Sequence, residues 1–241
     1  MHRFYQKNEL WFSLAWIIFY VIGTSIADGI HKGVTLLLHA AMCTILIIWM
    51  KRNGLYEKYG LCRTNIPAKK FLYYLPLLLI VSCNLWFGLT MNMPLGETLL
   101  YMGSMLCVGF LEEVIFRGLL FRAMAKDNLK AAVIVSSVTF GIGHIVNLIN
   151  GSGAALLSNL CQVCYAVAFG FLCVMLVLRG GSLLPCIAVH SAVNMLSAFA
   201  APQTPQQELL SALLLTLIPV LYMVYLHRVL PKAAVDKPSK R

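Results

Sequence analysis

The sequence predicts an all-α fold: a polytopic membrane protein, a bundle of about eight transmembrane helices with both termini cytoplasmic. Three observations carry this. The 241-residue chain is 60% hydrophobic and only 12% charged, with mean hydropathy +0.80. Its apolar residues recur in runs of spanning length. Its basic residues collect in alternate connecting segments. No soluble globular domain of this length needs so much apolar surface. No linker separates a second domain, so residues 1–241 are read as one integral-membrane domain.

The expected spans are 10–30, 34–50, 71–90, 98–121, 131–149, 155–178, 182–200 and 208–228. The first is read as a retained helix, because no small-residue cleavage pattern follows it. Asp28 sits near its outer, wet end. The second stops at Lys51 and Arg52, where the longest polar segment begins. That 51–70 loop contains Gly54, Gly60 and Pro67, and its Tyr56, Tyr59, Arg63, Lys69 and Lys70 suit a cytoplasmic membrane surface. The third span follows without internal charge. The fourth is unusual in carrying Glu112, Glu113 and Arg117 inside an apolar run that continues through Phe121. The fifth ends at the turn Asn150-Gly151-Ser152-Gly153. The sixth closes at Arg179, and the seventh has Pro185 in its first turn, where a missing N–H is tolerated. Pro202 and Pro205 break the chain before the eighth.

The net charge of +10 raises nucleic acid or anionic lipid as partners. Its distribution favours topology instead. One set of loops holds Lys51, Arg52, Lys58, Lys69, Lys70, Arg122, Lys126, Lys130 and Arg179, with Arg228, Lys232, Lys237, Lys240 and Arg241 against Asp236 at the tail. The other set holds little beyond Lys32, Glu97 and Glu208. The positive-inside rule then places both termini in the cytoplasm and leaves no role for nucleic acid. Of eight cysteines, seven fall in expected spans, where they act as small apolar residues. Cys161-Gln162-Val163-Cys164 is read as helix packing, and no disulfide framework is expected.

Three polar motifs interrupt the hydrocarbon. An ionisable group in a membrane core costs several kcal/mol, so such groups face cavities, pair with one another and mark function. In the fourth span Glu113 and Arg117 are four apart on one helical face, with the acid first, the favourable order. Pairing reduces the cost of burying both. Glu112 is left without a helical partner, as a general base requires. In the fifth span Phe140 and His144 share a face, with Gly141 and Gly143 allowing close helix approach. In the seventh, His190 and Asn194 also share a face and can donate to a developing oxyanion. Taken singly, each motif has a plainer reading: a helix end leaving the membrane, a packing histidine, an interhelical hydrogen bond. Asn84, Asn147, Asn159 and Gln162 are read as interhelical glue. At 1.5 Å per residue, Glu112 lies ~15 Å from Arg122, His190 ~12 Å from its span's start and His144 ~21 Å from Lys130. All fit within a ~30 Å hydrocarbon core and can converge in one cavity.

At these residues the chain resembles the CPBP family of intramembrane proteases, which comprises the type II CAAX prenyl endopeptidases and their bacteriocin-processing and immunity-type relatives. The resemblance rests on Glu112-Glu113-x-x-x-Arg117, Phe140-x-x-x-His144 and His190-x-x-x-Asn194, in that order, within core helices spanning 98–200. It implies an eight-helix fold with a cytoplasm-facing cavity that cleaves peptide bonds near the membrane. Carried onto this chain, it implies that Glu112 and His144 activate water and that His190 and Asn194 stabilise the oxyanion. Glu113 and Arg117 would hold the site together or contact substrate, and Phe140 would pack beside the substrate cavity. Members are commonly labelled metalloproteases, and a metal-free glutamate mechanism has also been argued. Glu112, His144 and His190 offer three zinc ligands with water in the open position. Glu113 would then be the remaining base. No H-E-x-x-H occurs, and the metal-free reading is preferred.

The expected partners are the lipid bilayer and a membrane-associated peptide or protein substrate of CAAX, pheromone or bacteriocin-precursor type. The expected location is a prokaryotic plasma membrane. Two other functions fit the inventory. A proton-coupled transporter also uses intramembrane Glu, His and Arg, but paired broken helices and inverted repeats are not evident. A non-catalytic scaffold or immunity-type regulator would not need the intact motif set.

Overall fold

The computed structural model describes residues 1–149 and 156–231. The expected Asn150-Gly151-Ser152-Gly153 turn, the basic tail beyond Pro231 and the side chain of Asn147 lie outside the described residues. A short helix α1 (His2–Lys7) precedes α2 (Glu9–Asp28) and α3 (Lys32–Arg52). Then come the irregular α4 (Ala68–Leu85) and the long α5 (Leu95–Ala125). The chain continues through α6 (Leu129–Gly143), the single turn α7 (Val146–Ile149), α8 (Leu156–Gly180), α9 (Leu184–Phe199) and α10 (Pro205–Val229). Among the described residues there is no strand, only an isolated bridge between Leu89 and Ala200.

Six helices are long and apolar enough to cross a membrane: α2, α3, α4, α5, α8 and α10. The expected fifth and seventh spans are shorter apolar helices, α6 and α9. The fifth differs from expectation in its end as well. It stops at Gly143, with His144 as its C-cap, and a turn separates it from α7. Two glycines in its last turn explain the early stop, because glycine weakens a helix interior. The large exposed side chains are apolar, with Leu37 72%, Leu221 66% and Leu213 55% exposed, as a lipid-facing surface requires. The chain is an integral membrane protein.

Local signals explain the helix starts. The Asn8 side chain accepts from Trp11 N at 2.9 Å and opens α2, and Asn128 accepts from Ala131 N at 3.0 Å and opens α6. Thr204 and Gln207 form a reciprocal capping box ahead of α10, with Pro205 in its first turn. Helix α4 is irregular at its start. Leu72, Tyr73 and Tyr74 have φ of 51°, 51° and 60°, left-handed values that cost roughly 1–3 kcal/mol each. Tyr222 Oη donates to Phe71 O at 2.8 Å and the Phe71 ring stacks on Tyr74 at 5.0 Å, which holds this corner in place.

The bundle has two distinct ends. At one, Lys58 and Lys126 each reach Glu9 Oε1 at 2.7 Å, joining the 53–67 connection and the end of α5 to the start of α2. Leu183 N donates to Gly60 O at 2.7 Å, and Arg179 Nη1 donates to His227 O at 2.9 Å. At the other end, Lys32 pairs with Glu97 at 2.5 Å, Asn92 Nδ2 donates to Ala200 O at 3.0 Å, and Ser158 Oγ donates to Glu208 Oε2 at 2.6 Å. The first is the basic end and the second the weakly charged end.

Candidate active site

Helix α5 is not uniformly α. From Glu113 to Leu120 it is a π-helix, and Phe121 N bonds Phe116 O five residues back. Ser136 Oγ of α6 donates to that same carbonyl at 2.9 Å. A turn closed by five-residue bonds holds more residues than the 3.6 of an α-helix. Glu112 and Glu113 stand at its entrance and face different environments.

Glu113 and Arg117 are fully buried and joined at 3.0 Å between Oε1 and Nη1. The guanidinium lies 3.8 Å above the Phe140 ring, a cation–π contact in a dry setting. A Cβ on Gly170 would meet Arg117 Nη2 at 3.1 Å, so α8 must present a glycine here. Glu113 Oε1 also holds His190 Nδ1 at 2.9 Å. One carboxylate oxygen therefore ties α5 to α9. These helices approach closely, because a Cβ on Gly109 would meet Ser191 Oγ at 2.3 Å.

Glu112 faces a cavity of about 670 Å³. His144, His190, Asn194 and Phe140 line the same cavity. Glu112 Oε2 is 3.5 Å from His190 Nε2, an ion-pair separation rather than a good hydrogen bond. Its other oxygen, Oε1, accepts from Tyr20 Oη at 2.7 Å. The rings of His144 and His190 meet the Phe140 ring edge-on at 5.4 and 5.5 Å. Asn159 Nδ2 of α8 donates to His144 O at 2.9 Å, which fixes the turn carrying that histidine.

The structure thus brings Glu112, His144, His190, Asn194 and Phe140 around one hollow and places Glu113 and Arg117 behind it. Fully buried, Glu113 and Arg117 offer no surface to a substrate in this conformation. Tyr20 was not legible in the sequence. It is a lone hydroxyl in the apolar run of α2, and only tertiary packing brings it to Glu112. Asn84 does join helices, donating to Val193 O at 2.7 Å. All eight cysteines are free.

Glu112, His144 and His190 are residue types that zinc accepts, and His190 has its other ring nitrogen held by a carboxylate, as metal-bound histidines do, but their ligand atoms do not all lie within 4.8 Å of one another. A tighter group, Glu113, Cys173 and Cys186, has ligand atoms within 4.8 Å of one another. Glu113 is committed there to Arg117 and His190, and Cys186 Sγ donates to Cys173 O at 3.7 Å, so the thiols act as packing groups.

The lining of the cavity extends to Ser158, Ala201, Gln203 and Glu208 at the weakly charged end. Beyond Glu113, the α5 residues Val114, Ile115, Leu119 and Leu120 are packed in the core, each no more than 2% exposed.

No curated protein and no solved structure matches the chain. Residues 94–196 match the family model described as Type II CAAX prenyl endopeptidase Rce1-like. The matched segment contains all three motifs, from Glu112 to Asn194, and the family it matches is one of proteases. Over that segment the chain is similar to the Rce1-like type II CAAX prenyl endopeptidases, in agreement with the CPBP resemblance of its motifs.

Proposed function

We propose that the protein is an intramembrane endopeptidase that hydrolyses a peptide bond of a membrane-associated peptide or protein through a Glu112/His144-activated water. The observation that carries this is the shared cavity, which faces a carboxylate, two imidazoles and a carboxamide toward one space. Water held between Glu112 and His144 attacks the scissile carbonyl while Glu112 accepts its proton. The carbonyl electrons move onto oxygen, which Asn194 Nδ2–H stabilises together with His190, whose ring must carry a proton on both nitrogens to donate from Nε2 while Nδ1–H stays on Glu113. Collapse of the tetrahedral intermediate breaks the C–N bond, and Glu112 returns the proton to the departing amine.

Three further groups act through these. Tyr20 orients Glu112 by donating to Oε1. Glu113 fixes the His190 ring by accepting from Nδ1, and Arg117 compensates the Glu113 charge. Glu113 and Arg117 are positioning residues in this scheme. A divalent cation, if bound, would be held by Glu112, His144 and His190 and would supply a polarised water.

The test is cleavage of a membrane-tethered reporter peptide by reconstituted protein. Glu112→Ala and His144→Ala should each lower the rate about 10²–10⁴-fold with the helical content retained. Full activity in both variants would reject the proposal. Solute uptake without cleavage would favour a transporter.

A further inference from the structure

We infer that His39 is a positioning residue for the active site: it binds α2 to α5 behind Tyr20 and so holds the Tyr20 hydroxyl on Glu112. This rests on the hydrolase reading for the effect on turnover, though not for the geometry that His39 fixes.

His39 lies near the middle of α3, a helix that carries none of the three motifs. It is fully buried, yet it does not line the cavity. An imidazole in such a place costs free energy unless both ring nitrogens find partners. Both do. Nε2 is 2.9 Å from Thr24 Oγ1 of α2, and Nδ1 is 2.8 Å from Ser104 Oγ of α5. Either hydroxyl can donate or accept, so the two satisfy the ring in either neutral tautomer. An apolar side chain of similar volume would fill the same space, so packing alone does not call for a histidine. One side chain of α3 joins the two helices that carry Tyr20 and Glu112.

Helical spacing brings this junction to the active site. Thr24 stands one turn beyond Tyr20 on the same face of α2. Ser104 stands eight residues before Glu112, on the same stripe of α5. The Tyr20–Glu112 hydrogen bond at 2.7 Å and the Thr24–His39–Ser104 bridge are thus two rungs between the same pair of helices. The His39 ring also packs against the Tyr20 ring, with centroids 5.8 Å apart and planes tilted by 37°. That contact restricts the rotamer of Tyr20 and sets where its oxygen points. Close packing on either side leaves little slack. A Cβ on Gly23 would meet Leu38 Cδ2 at 3.2 Å, and one on Gly103 would meet Leu36 Cδ1 at 3.2 Å. Each of these glycines immediately precedes one of the two partners of His39. One turn away on α3, Thr35 Oγ1 donates to Asp28 Oδ1 at 2.8 Å and closes the hairpin of α2 and α3.

The experiment is a double-mutant cycle between His39 and Tyr20 in the full-length, reconstituted protein, with kcat and KM read on a membrane-tethered reporter peptide. His39→Leu keeps the bulk and removes both hydrogen bonds. It should lower kcat by about 5- to 100-fold and leave KM within about twofold. In a Tyr20→Phe background the same change should cost less than about twofold more, because the two residues act as one unit. A general loss of stability would not depend on the Tyr20 hydroxyl in this way. Unchanged kcat in His39→Leu, or the same loss in both backgrounds, overturns the inference and leaves the protease reading intact. Should His39→Leu fail to fold, Ser104→Ala runs the same cycle, with an expected loss of about 5-fold. When the wild type cleaves the reporter, this kinetic cycle decides. When it cleaves nothing, the protease reading fails, and thermal unfolding of the same four proteins in detergent decides instead. A midpoint shift on Tyr20→Phe that shrinks in the His39→Leu background supports the inference. A shift of the same size in both backgrounds, zero included, overturns it.

Discussion

At the centre of α5 two faces of one helix lie a residue apart. On one, Glu112 meets the cavity beside His144, His190 and Asn194, held by a tyrosine hydroxyl from another helix. On the other, Glu113 meets no solvent, and Arg117, His190 and the Phe140 ring surround it. The side chains are chemically identical. What differs is whether the charge is matched. A carboxylate matched by a guanidinium in a dry site fixes geometry. A carboxylate that faces the cavity and has no cation on its own helix is left open to whatever enters that space. Neighbouring residues acquire different surroundings because successive side chains of a helix point about 100° apart.

The comparison can be broken from its dry side first. Arg117→Ala leaves Glu113 as an uncompensated buried charge and should destabilise the protein by about 3–5 kcal/mol. Thermal unfolding in detergent, followed by circular dichroism, checks this. An unchanged midpoint would mean that the pair is not matched as described. On the wet side, Asn194→Ala removes one donor to the oxyanion while leaving the fold alone. Its expected cost is about 10²–10³ in kcat, with KM little changed. A loss confined to KM would assign Asn194 to binding.

Tyr20→Phe sharpens the comparison by removing only the hydroxyl that orients Glu112. A hydrogen bond to a charged group is worth about 1.5–3 kcal/mol, so kcat should fall roughly 10- to 100-fold and the pH–rate profile should move. A merely structural role would lower stability without moving that profile. The smallest effect belongs to a control outside both faces. Burial alone would lower the Lys58 pKa, but hydrogen bonds to Glu9 and Tyr5 raise it above the ordinary 10.5. Its contribution is present below about pH 10.5 and lost as pH climbs through the raised value. Solvent screening of this half-exposed pair limits the change to less than about 1 kcal/mol. Denaturation across that range, compared with Lys58→Gln, measures it.

The sequence carried the motif residues and the Glu113–Arg117 pairing, because helical spacing and the penalty for charge in hydrocarbon are both local rules. It did not carry Tyr20. A tyrosine in an apolar run looks the same whether its hydroxyl finds a headgroup or a glutamate 92 positions away. Nor did it carry the π-turn, which depends on Ser136 of another helix satisfying Phe116 O as well as on the local residues. The lengths of α6 and α9 were overestimated for a related reason. An apolar run records what is kept from water, and in Ile145 and beyond that environment continues after the helix has stopped.

The widened turn at Glu113–Leu120 has a consequence for how this gene can vary. A π segment is an α-helix carrying a surplus residue, so removing any single residue between Glu113 and Leu120 would restore ordinary winding. The widened turn absorbs its surplus residue locally, so the deletion would leave the flanking turns in register and remove the widening itself. Exchanges of one amino acid for another here alter a contact, whereas loss of one codon would tighten the turn that carries Glu113 and Arg117. Length across this stretch should therefore stay fixed in functional variants even where side chains drift.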